Sequence, residues 1–463
     1  MRQLLLVIVT LIGFALEARG QSGRILPVDD PAYVLVSRLQ QRGYLLSLNP
    51  TSLPYIHGEL AAALARIDAS KLTPTERKWY DRLVRRFGTD PISRRYAGIA
   101  LTPGLAVSSS KRLDALRPLE DEIHVYPFAA LDAFAGRGPF TANVRLRHDL
   151  YYDRDPDGID VARRLMVRSE DAYLGYRRMP VSVYLGRFQN HWGSYGDQAL
   201  VVSANPRSYD QIHLRIGGER LAVTGLLGEL DSIDSSGVFG GSAFGPGSKR
   251  RFLAAHRIDW RPSPYLSFSL VESALYSGEN SSPSLKFLNP LHVFLFVGDN
   301  KPKNDENNIM LAGMMWAYHK GFTLYGQFLL DDYSQRGTYP HRFALTGSLT
   351  YSGLSDNVTL GFSGTVVGSE TYNTFQPEGR YVYLNRGIGT QFSDYVLATG
   401  YVDLYLDSVA SGFSLRPYVN LFLQGERDMR LPIASRGEAK SVLSGVVERT
   451  LRSALVFRLQ PDT

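Results

Sequence analysis

FTANVRLRHDL, residues 140–150, changes from apolar to polar at almost every step. Phe140, Ala142, Val144, Leu146 and Leu150 fall on one face of an extended chain, and Thr141, Asn143, Arg145, Arg147 and Asp149 on the other. Successive side chains of a strand point to opposite sides, so the stretch predicts a strand with one apolar and one polar face. The same split recurs downstream. Phe343, Leu345, Leu349 and Tyr351 oppose Arg342, Thr346, Ser348 and Thr350; Phe413, Leu415, Val419 and Leu421 oppose Ser414, Arg416, Tyr418 and Asn420. In the last such stretch Leu451, Leu455, Phe457 and Leu459 oppose Arg452 and Arg458.

A soluble sandwich also alternates, so the connections carry the discrimination. Short turns are expected near Gly136–Gly138, Met179-Pro180, Gly217-Gly218, Arg261–Pro264, His319–Gly321, Ser352–Asp356 and Asp407–Gly412. Between them fall long polar connections near 152–163, 190–209, 231–249, 277–307, 333–340, 369–390 and 425–438. Strict alternation of short and long connections is the mark of an outer-membrane barrel, with short periplasmic turns and longer extracellular loops. The count gives about 16 strands, with room for another pair around 371–392 or 283–298. Many strands have the roughly 9–11 residues that cross a bilayer at a tilt. Tyr and Phe near strand ends suit interfacial girdles. The C-terminal end is atypical for such a barrel: Phe457 is followed by Arg458-Leu459-Gln460 and then Pro461-Asp462-Thr463.

Upstream the period is helical. Tyr33, Leu35, Val36 and Leu39 follow Asp30-Pro31, and His57–Ile67 is rich in Ala and Leu, strong helix formers. A third helix is expected to start at Thr73, with Pro74 at its first position, Glu76 completing a capping box, and Gly88 ending it. Before these, Arg2 and the apolar run Leu4–Leu16, followed by Ala18 and Gly20, read as a secretory signal, too short for a spanning helix. The expected organisation is a signal over 1–20, a helical periplasmic region over 21–96 and a barrel over 97–463. No later segment approaches a transmembrane helix; the longest strongly apolar stretch is Leu291–Val297. Zero cysteines in a secreted chain exclude a disulfide scaffold, thiol catalysis and thiolate metal sites. The net charge of +6 is too modest to argue for nucleic acid.

Catalytic motifs do not assemble. Asp331-Asp332 are adjacent in a strand, so their carboxylates point apart. Asp153–Asp160 (DRDPDGID) misses the EF-hand spacing and lacks its closing Glu, and an acidic turn is the better reading. Gly240–Gly247 before Lys249 lacks the ending of a phosphate loop. The histidines show no metal-ligand pair and no serine elbow is present. No cofactor, no metal and no enzymatic activity are expected. Strand parity does point Arg145, Arg147, Arg177, Arg215, Arg257, Arg342, Arg416, Arg452 and Arg458 into the lumen. Fewer acids join them: Asp149, Asp259, Asp331, Asp403 and Glu448. Mixed charges of this kind stiffen a barrel interior. A net positive lumen would also draw an anionic partner, whose carboxylates or phosphates suit the guanidinium fork.

Residues 186–216, GRFQNHWGSYGDQALVVSANPRSYDQIHLRI, resemble the capsule-assembly Wzi family of outer-membrane proteins. The matching positions are Gly186, Arg187, Trp192, Gly193, Leu200, Ser203 and Asn205; the family's Gly-Pro-Gly after the Trp is replaced here by Gly193-Ser194-Tyr195-Gly196. Phe287–Pro290, Asn307-Asn308 and Leu324–Asp332 resemble the branch of that family seen in Bacteroidetes-type bacteria. Val28–Tyr33, Arg42-Gly43 and Leu53–Tyr55 are similar to its N-terminal helical region. The resemblance implies a monomeric barrel, usually of 18 strands, with a periplasmic helical bundle, which holds capsular polysaccharide at the cell surface as a lectin-like anchor. With the count above, the expected fold is an all-β antiparallel transmembrane barrel of 16–18 strands with a small N-terminal α-helical periplasmic domain, in the outer membrane. The expected partners are an acidic capsular or exopolysaccharide and outer-membrane lipid, with contact to export machinery left open. Trp192, Tyr195 and Tyr209 are candidates to stack on sugar rings. Arg207 and the lumen arginines Arg145, Arg147, Arg215, Arg342, Arg416 and Arg452 are candidates to hold acidic sugars. The competing expectations are an anion-favouring diffusion porin and, from Asp30-Pro31, Tyr33, Leu39, Gly43 and Glu59–Leu64, a head similar to surface-layer-homology modules.

Overall fold

The computed structural model describes residues 23–88, 95–113, 119–120, 122–158, 167–233, 249–278, 281–294, 306–332, 340–406, 412–431, 433 and 440–459. The run read as a signal and the Gly240–Gly247 stretch lie outside these residues. Three helices come first: α1 (Ala32–Gln40), α2 (His57–Ala65) and α3 (Pro74–Phe87). Asp30 accepts from the backbone N–H of Ala32 at 2.8 Å and so satisfies a free donor at the start of α1. The box at α3 is reciprocal: the Thr73 hydroxyl accepts from Glu76 N–H at 3.4 Å, and the Glu76 carboxylate accepts from Thr73 N–H at 2.9 Å. Gly88, at φ +69°, ends it. Tyr33, Val36 and Leu39 of α1, Leu60 and Leu64 of α2, and Trp79, Leu83 and Phe87 of α3 share one core.

The rest is strand. In chain order these are β1 (Arg95–Ser108), β2 (His124–Arg137), β3 (Phe140–Asp149), β4 (Val167–Arg178), β5 (Val181–Phe188), β6 (Tyr209–Gly217), β7 (Leu221–Glu229), β8 (Arg250–Ser263) and β9 (Leu266–Gly278). They continue as β10 (Glu306–His319), β11 (Phe322–Asp332), β12 (Arg342–Ser355), β13 (Val358–Val367), β14 (Val382–Tyr383), β15 (Arg386–Gly387), β16 (Tyr395–Tyr405), β17 (Phe413–Gln424) and β18 (Glu448–Leu459). Sixteen of them form one antiparallel sheet in which each strand pairs with the next in sequence, from β1 at one end of the ladder to β18 at the other. β14 and β15 pair only with each other, inside the connection from β13 to β16. Among the described residues the wall thus has the 16 strands counted from the connections. The hairpin suspected within 371–392 exists but adds nothing to the wall, so the 18 strands implied by the resemblance are not reached.

The polarity of this sheet is inverted relative to a soluble protein. On β12, Leu345 and Leu349 are 51% and 46% exposed, while Thr346 and Ser348 between them are buried. On β3, Phe140, Val144 and Leu146 face out, and Thr141, Asn143 and Arg145 are buried. An apolar outside and a polar inside is the pattern of a barrel in lipid, where only closed hydrogen bonding satisfies the backbone. No helix among the described residues is long and apolar enough to cross a membrane.

The helical head sits at the short-turn end and reaches into the lumen. Arg42 donates to the carbonyls of Ser352, Ser355 and Asp356 in the β12–β13 turn, at 3.2, 3.2 and 2.9 Å. Arg66 pairs with Glu219 beyond β6 at 2.6 Å. Arg261 donates to the Leu46 and Ser47 carbonyls at 2.5 and 3.0 Å. Asp29 grips Arg145 on β3 at 2.7 Å, while Arg38, nine positions later, donates to Ser414 on β17 at 2.9 Å. One short segment touching both ends of the strand order means that the sheet wraps around it.

Leu349 lies midway along β12 on the lipid face. Leu349→Arg is expected to destabilise the barrel by about 2–4 kcal/mol, whereas Thr399→Lys, on the lumen face of β16, shifts it far less. Urea titration of protein refolded in phospholipid vesicles measures both; equal shifts would contradict the inside–outside assignment.

Candidate functional site

Two long connections turn inward and fill the barrel above the head. Residues 189–208, between β5 and β6, meet residues 368–394, between β13 and β16. Trp192, Leu200, Val201, Val202, Tyr372, Tyr381 and Ile388 from these connections pack with Leu253, Val271, Leu329 and Val367 of the wall in one apolar core. The residues that carry the family resemblance are the ties of this plug. Ser203 donates to the carbonyls of Ile388 and Gly389 at 2.9 and 2.5 Å. Asn205 donates to Gly387 O and to the Gln391 side chain, both at 2.7 Å. Leu200 N–H donates to Gln327 on β11 at 2.9 Å, and its carbonyl accepts from the Tyr372 hydroxyl at 2.6 Å. Gly193 is required by close approach: a Cβ there would stand 2.9 Å from that of Ala199 and 3.0 Å from the Tyr325 hydroxyl.

The aromatic candidates therefore do not form one sugar platform. Trp192 is 1% exposed and belongs to the plug core, with its indole 5.9 Å from the Arg257 guanidinium. Tyr209 is buried edge-on against Tyr383, ring centroids 5.6 Å apart. Tyr195 is half-buried, stacked on Tyr33 of the head at 5.5 Å. Their distance from the loop surface follows from the inward path of 189–208, which a reading of that segment as an exposed loop does not anticipate.

The lumen arginines face inward as strand parity indicates, but their charge is matched. Arg145 contacts Asp29 at 2.7 Å, with Asp171 and Asp132 at 3.7 and 3.9 Å. Arg147 pairs with Asp29 and Asp149, at 3.1 and 2.9 Å. Arg215 and Arg177 share Glu59, at 3.5 and 3.2 Å. Arg342 pairs with Glu370 at 3.2 Å, and Arg416 with Asp403 at 2.7 Å. Arg452 is half-buried on the inner face of β18. This is the mixed-charge arrangement that stiffens a barrel interior, with more acids than strand parity alone locates. Wall parity counts only wall acids, whereas Asp29 and Glu59 come from the head and Glu370 from the plug. The Arg145 fork holds the Asp29 carboxyl below its usual range against the opposing effect of burial.

At the long-loop end lies a cluster that the sequence reading caught only through Arg207. Its guanidinium lies 4.8 Å from the Tyr152 ring centroid, and that of Arg168 lies 3.6 Å from the same ring. Arg207 makes no ion pair among the described residues. Burial, and the like charge of Arg168 nearby, lower its pKa. Around it the other cations are occupied. Arg386 is bidentate to Asp155 at 2.7 and 2.6 Å, while Asp157 takes Arg112 at 2.8 Å and Arg430 at 3.4 Å. Two acids of the DRDPDGID turn are thus bound to arginines, and the end of that turn lies outside the described residues. Asp331 and Asp332 diverge as expected: the first accepts from Tyr372 N–H at 2.7 Å, and the second lies 3.8 Å from Arg342. Among the described residues no group of His, Asp and Glu is arranged to hold a metal. Tyr152 and Arg168 carried no signal of their own in the sequence, because their meeting with Arg207 joins three separate stretches.

The comparisons agree with this architecture. Residues 129–354 match the family model of capsule assembly protein Wzi. The fold is similar to that of Wzi of Escherichia coli, an outer-membrane protein involved in group 1 capsule assembly and described as a carbohydrate-binding β-barrel. That match has a TM-score of 0.60 at 12% identity and covers 86% of this chain and 85% of the other. The outer-membrane channel DcaP of Acinetobacter baumannii is more distant, with a TM-score of 0.40 at 11% identity, covering 78% of this chain and 96% of the other. No curated protein sequence matches the chain. Residues 129–354 carry the sequence pattern of the Wzi capsule-assembly family, and the protein is an outer-membrane β-barrel.

Proposed function

We propose that this barrel binds an acidic capsular or extracellular polysaccharide at the cell surface and helps to attach it there, as a monomer and without catalysing a reaction. The observation that carries the reading is the filled lumen. Head and plug occupy the space that a diffusion channel leaves open, which favours a binding role for the long-loop end over conduction. The family match supplies the capsule context. At that end Arg207, which makes no ion pair among the described residues and is backed by Tyr152 and Arg168, offers a guanidinium to a sugar carboxylate. Charge-assisted hydrogen bonds of this type contribute about 1.5–3 kcal/mol. Contact of the head with export machinery stays within the proposal, because the head faces the short-turn side.

Three outcomes test this. A strain lacking the protein is expected to keep making polysaccharide but to shed it into the medium, measured as the cell-bound and free fractions; unchanged retention would refute the anchoring role. Purified polysaccharide is expected to bind Arg207→Ala protein about tenfold more weakly, a difference of ~1.4 kcal/mol; equal affinity would remove Arg207 from the site. In planar bilayers the protein is expected to be nearly silent, and steady porin-like conductance would restore the channel reading.

A further inference from the structure

A chamber of about 600 Å³ lies inside the barrel between α1, the plug segment 191–205 and the walls β10 to β18. This is within the roughly 300–1,000 Å³ of ordinary ligand pockets. Its wall is unusual for a barrel interior braced by ion pairs. Thr346, Ser348, Ser363, Thr365 and Thr399 present hydroxyls, and Asn205, Gln391 and Asn420 present amides. Tyr195, Tyr401 and Tyr418 present rings.

Three arginines, Arg38, Arg416 and Arg458, border this chamber against two aspartates, Asp197 and Asp403. Arg416 donates through Nε and Nη2 to the two carboxylate oxygens of Asp403, each at 2.7 Å, and lies 4.4 Å from the Tyr401 ring centroid. Arg458, on the neighbouring strand, is half-buried, borders the same chamber and makes no ion pair or hydrogen bond among the described residues. On the other side Asp197 is held by the Ser348 hydroxyl at 2.8 Å. Arg458 pairs in register with Ser414, near the short-turn end of the wall, and a half-buried cation is costly to leave uncompensated. A smaller cavity of about 260 Å³ lies among Gln424–Asp428 at the long-loop end, and Phe392 borders both spaces.

We propose that the chamber is a second, lumenal binding site for a short stretch of acidic sugar: the carboxylate on Arg458, sugar rings against Tyr195 and Tyr418, and sugar hydroxyls on the Thr, Ser and Asn wall, entered past Phe392. The site extends the polysaccharide reading from the loop face into the lumen, but its test does not depend on retention by cells. Hydroxyl-and-amide walls with tyrosine faces match the alternating polar edges and apolar faces of a pyranose, and the guanidinium fork matches a carboxylate.

The experiment is calorimetric titration of the full-length purified protein with tri-galacturonate and with its neutral counterpart, galactotriose. The wild-type chain is expected to bind the acidic trisaccharide more tightly than the neutral one. Arg458→Gln is expected to weaken the acidic ligand at least tenfold and to leave the neutral one within about twofold. Ser363→Trp, which fills the chamber from β13, is expected to abolish both, with heat-modifiable gel migration confirming that each variant folds. No binding to the wild-type chain, or wild-type affinity in both variants, overturns the chamber. If trisaccharide binding behaves as expected while cells lacking the protein still retain polysaccharide, the chamber stands and the anchoring role falls; the reverse result removes the chamber alone.

Discussion

A sheet of 16 strands that turns its polar face inward encloses more space than its own side chains can fill, and the rest of this structure answers that constraint. In small barrels the interior side chains meet across the axis; at this strand number they leave a wide lumen. Here two kinds of chain enter it: the segment before α1 and the loop after it from the short-turn end, and the connections 189–208 and 368–394 from the other. The inward face of the wall is therefore a protein–protein interface inside one chain, and it follows the rules of one, with an apolar centre around Trp192 and Tyr372 and paired charges elsewhere.

The charge pairing shows how tightly the parts depend on one another. Arg257 on β8 is fully buried. It donates to the carbonyl and hydroxyl of Thr51 in the head at 2.5 and 2.6 Å, to Asp259 at 2.8 Å and to Ser269 at 2.9 Å. Removing one member of such a network leaves a buried charge without its partner, at a cost of about 3–5 kcal/mol. The head is thereby fixed by the wall, and the wall's arginines are neutralised by the head. This reciprocity favours seeing the helices as part of the barrel's interior and not as a separate module hung beneath it.

That interdependence also explains what could be read from the sequence. The wall was legible because its signal is local: alternation over about ten residues is imposed by lipid on one side and polar lumen on the other, and each turn is a nearest-neighbour event. The capping box at Thr73 and Glu76 was legible for the same reason. The lumen was not. Trp192 and Tyr209 looked like exposed loop aromatics because nothing nearby in sequence says that 189–208 turns inward. Their burial depends on Ile388 and Tyr383, more than 170 positions away. The aromatic density of 372–395 was a usable hint, since Tyr372, Tyr381, Tyr383, Phe392 and Tyr395 are too many large apolar rings for a solvated loop. The arginines face inward as parity indicates, but some of the acids that pair with them, Asp29, Glu59 and Glu370, lie on the head and the plug, where strand parity does not look.

Quenching gives the remaining free charge its meaning. Arginines that stiffen this interior are met by carboxylates or by carbonyls: Asp29, Glu59, Glu370 and Asp403 each approach one within 3.5 Å, and Arg261 is held by the Leu46 and Ser47 carbonyls. Arg207 and Arg458 depart from that rule in two different settings, one above the plug on a tyrosine ring and one beside a hydroxyl-lined chamber. An uncompensated guanidinium opposes folding in either place, through desolvation and through repulsion from Arg168 or Arg416. Beside inward cations that the chain meets with carboxylates or carbonyls, a charge left open among the described residues argues for an anion that arrives from outside the protein.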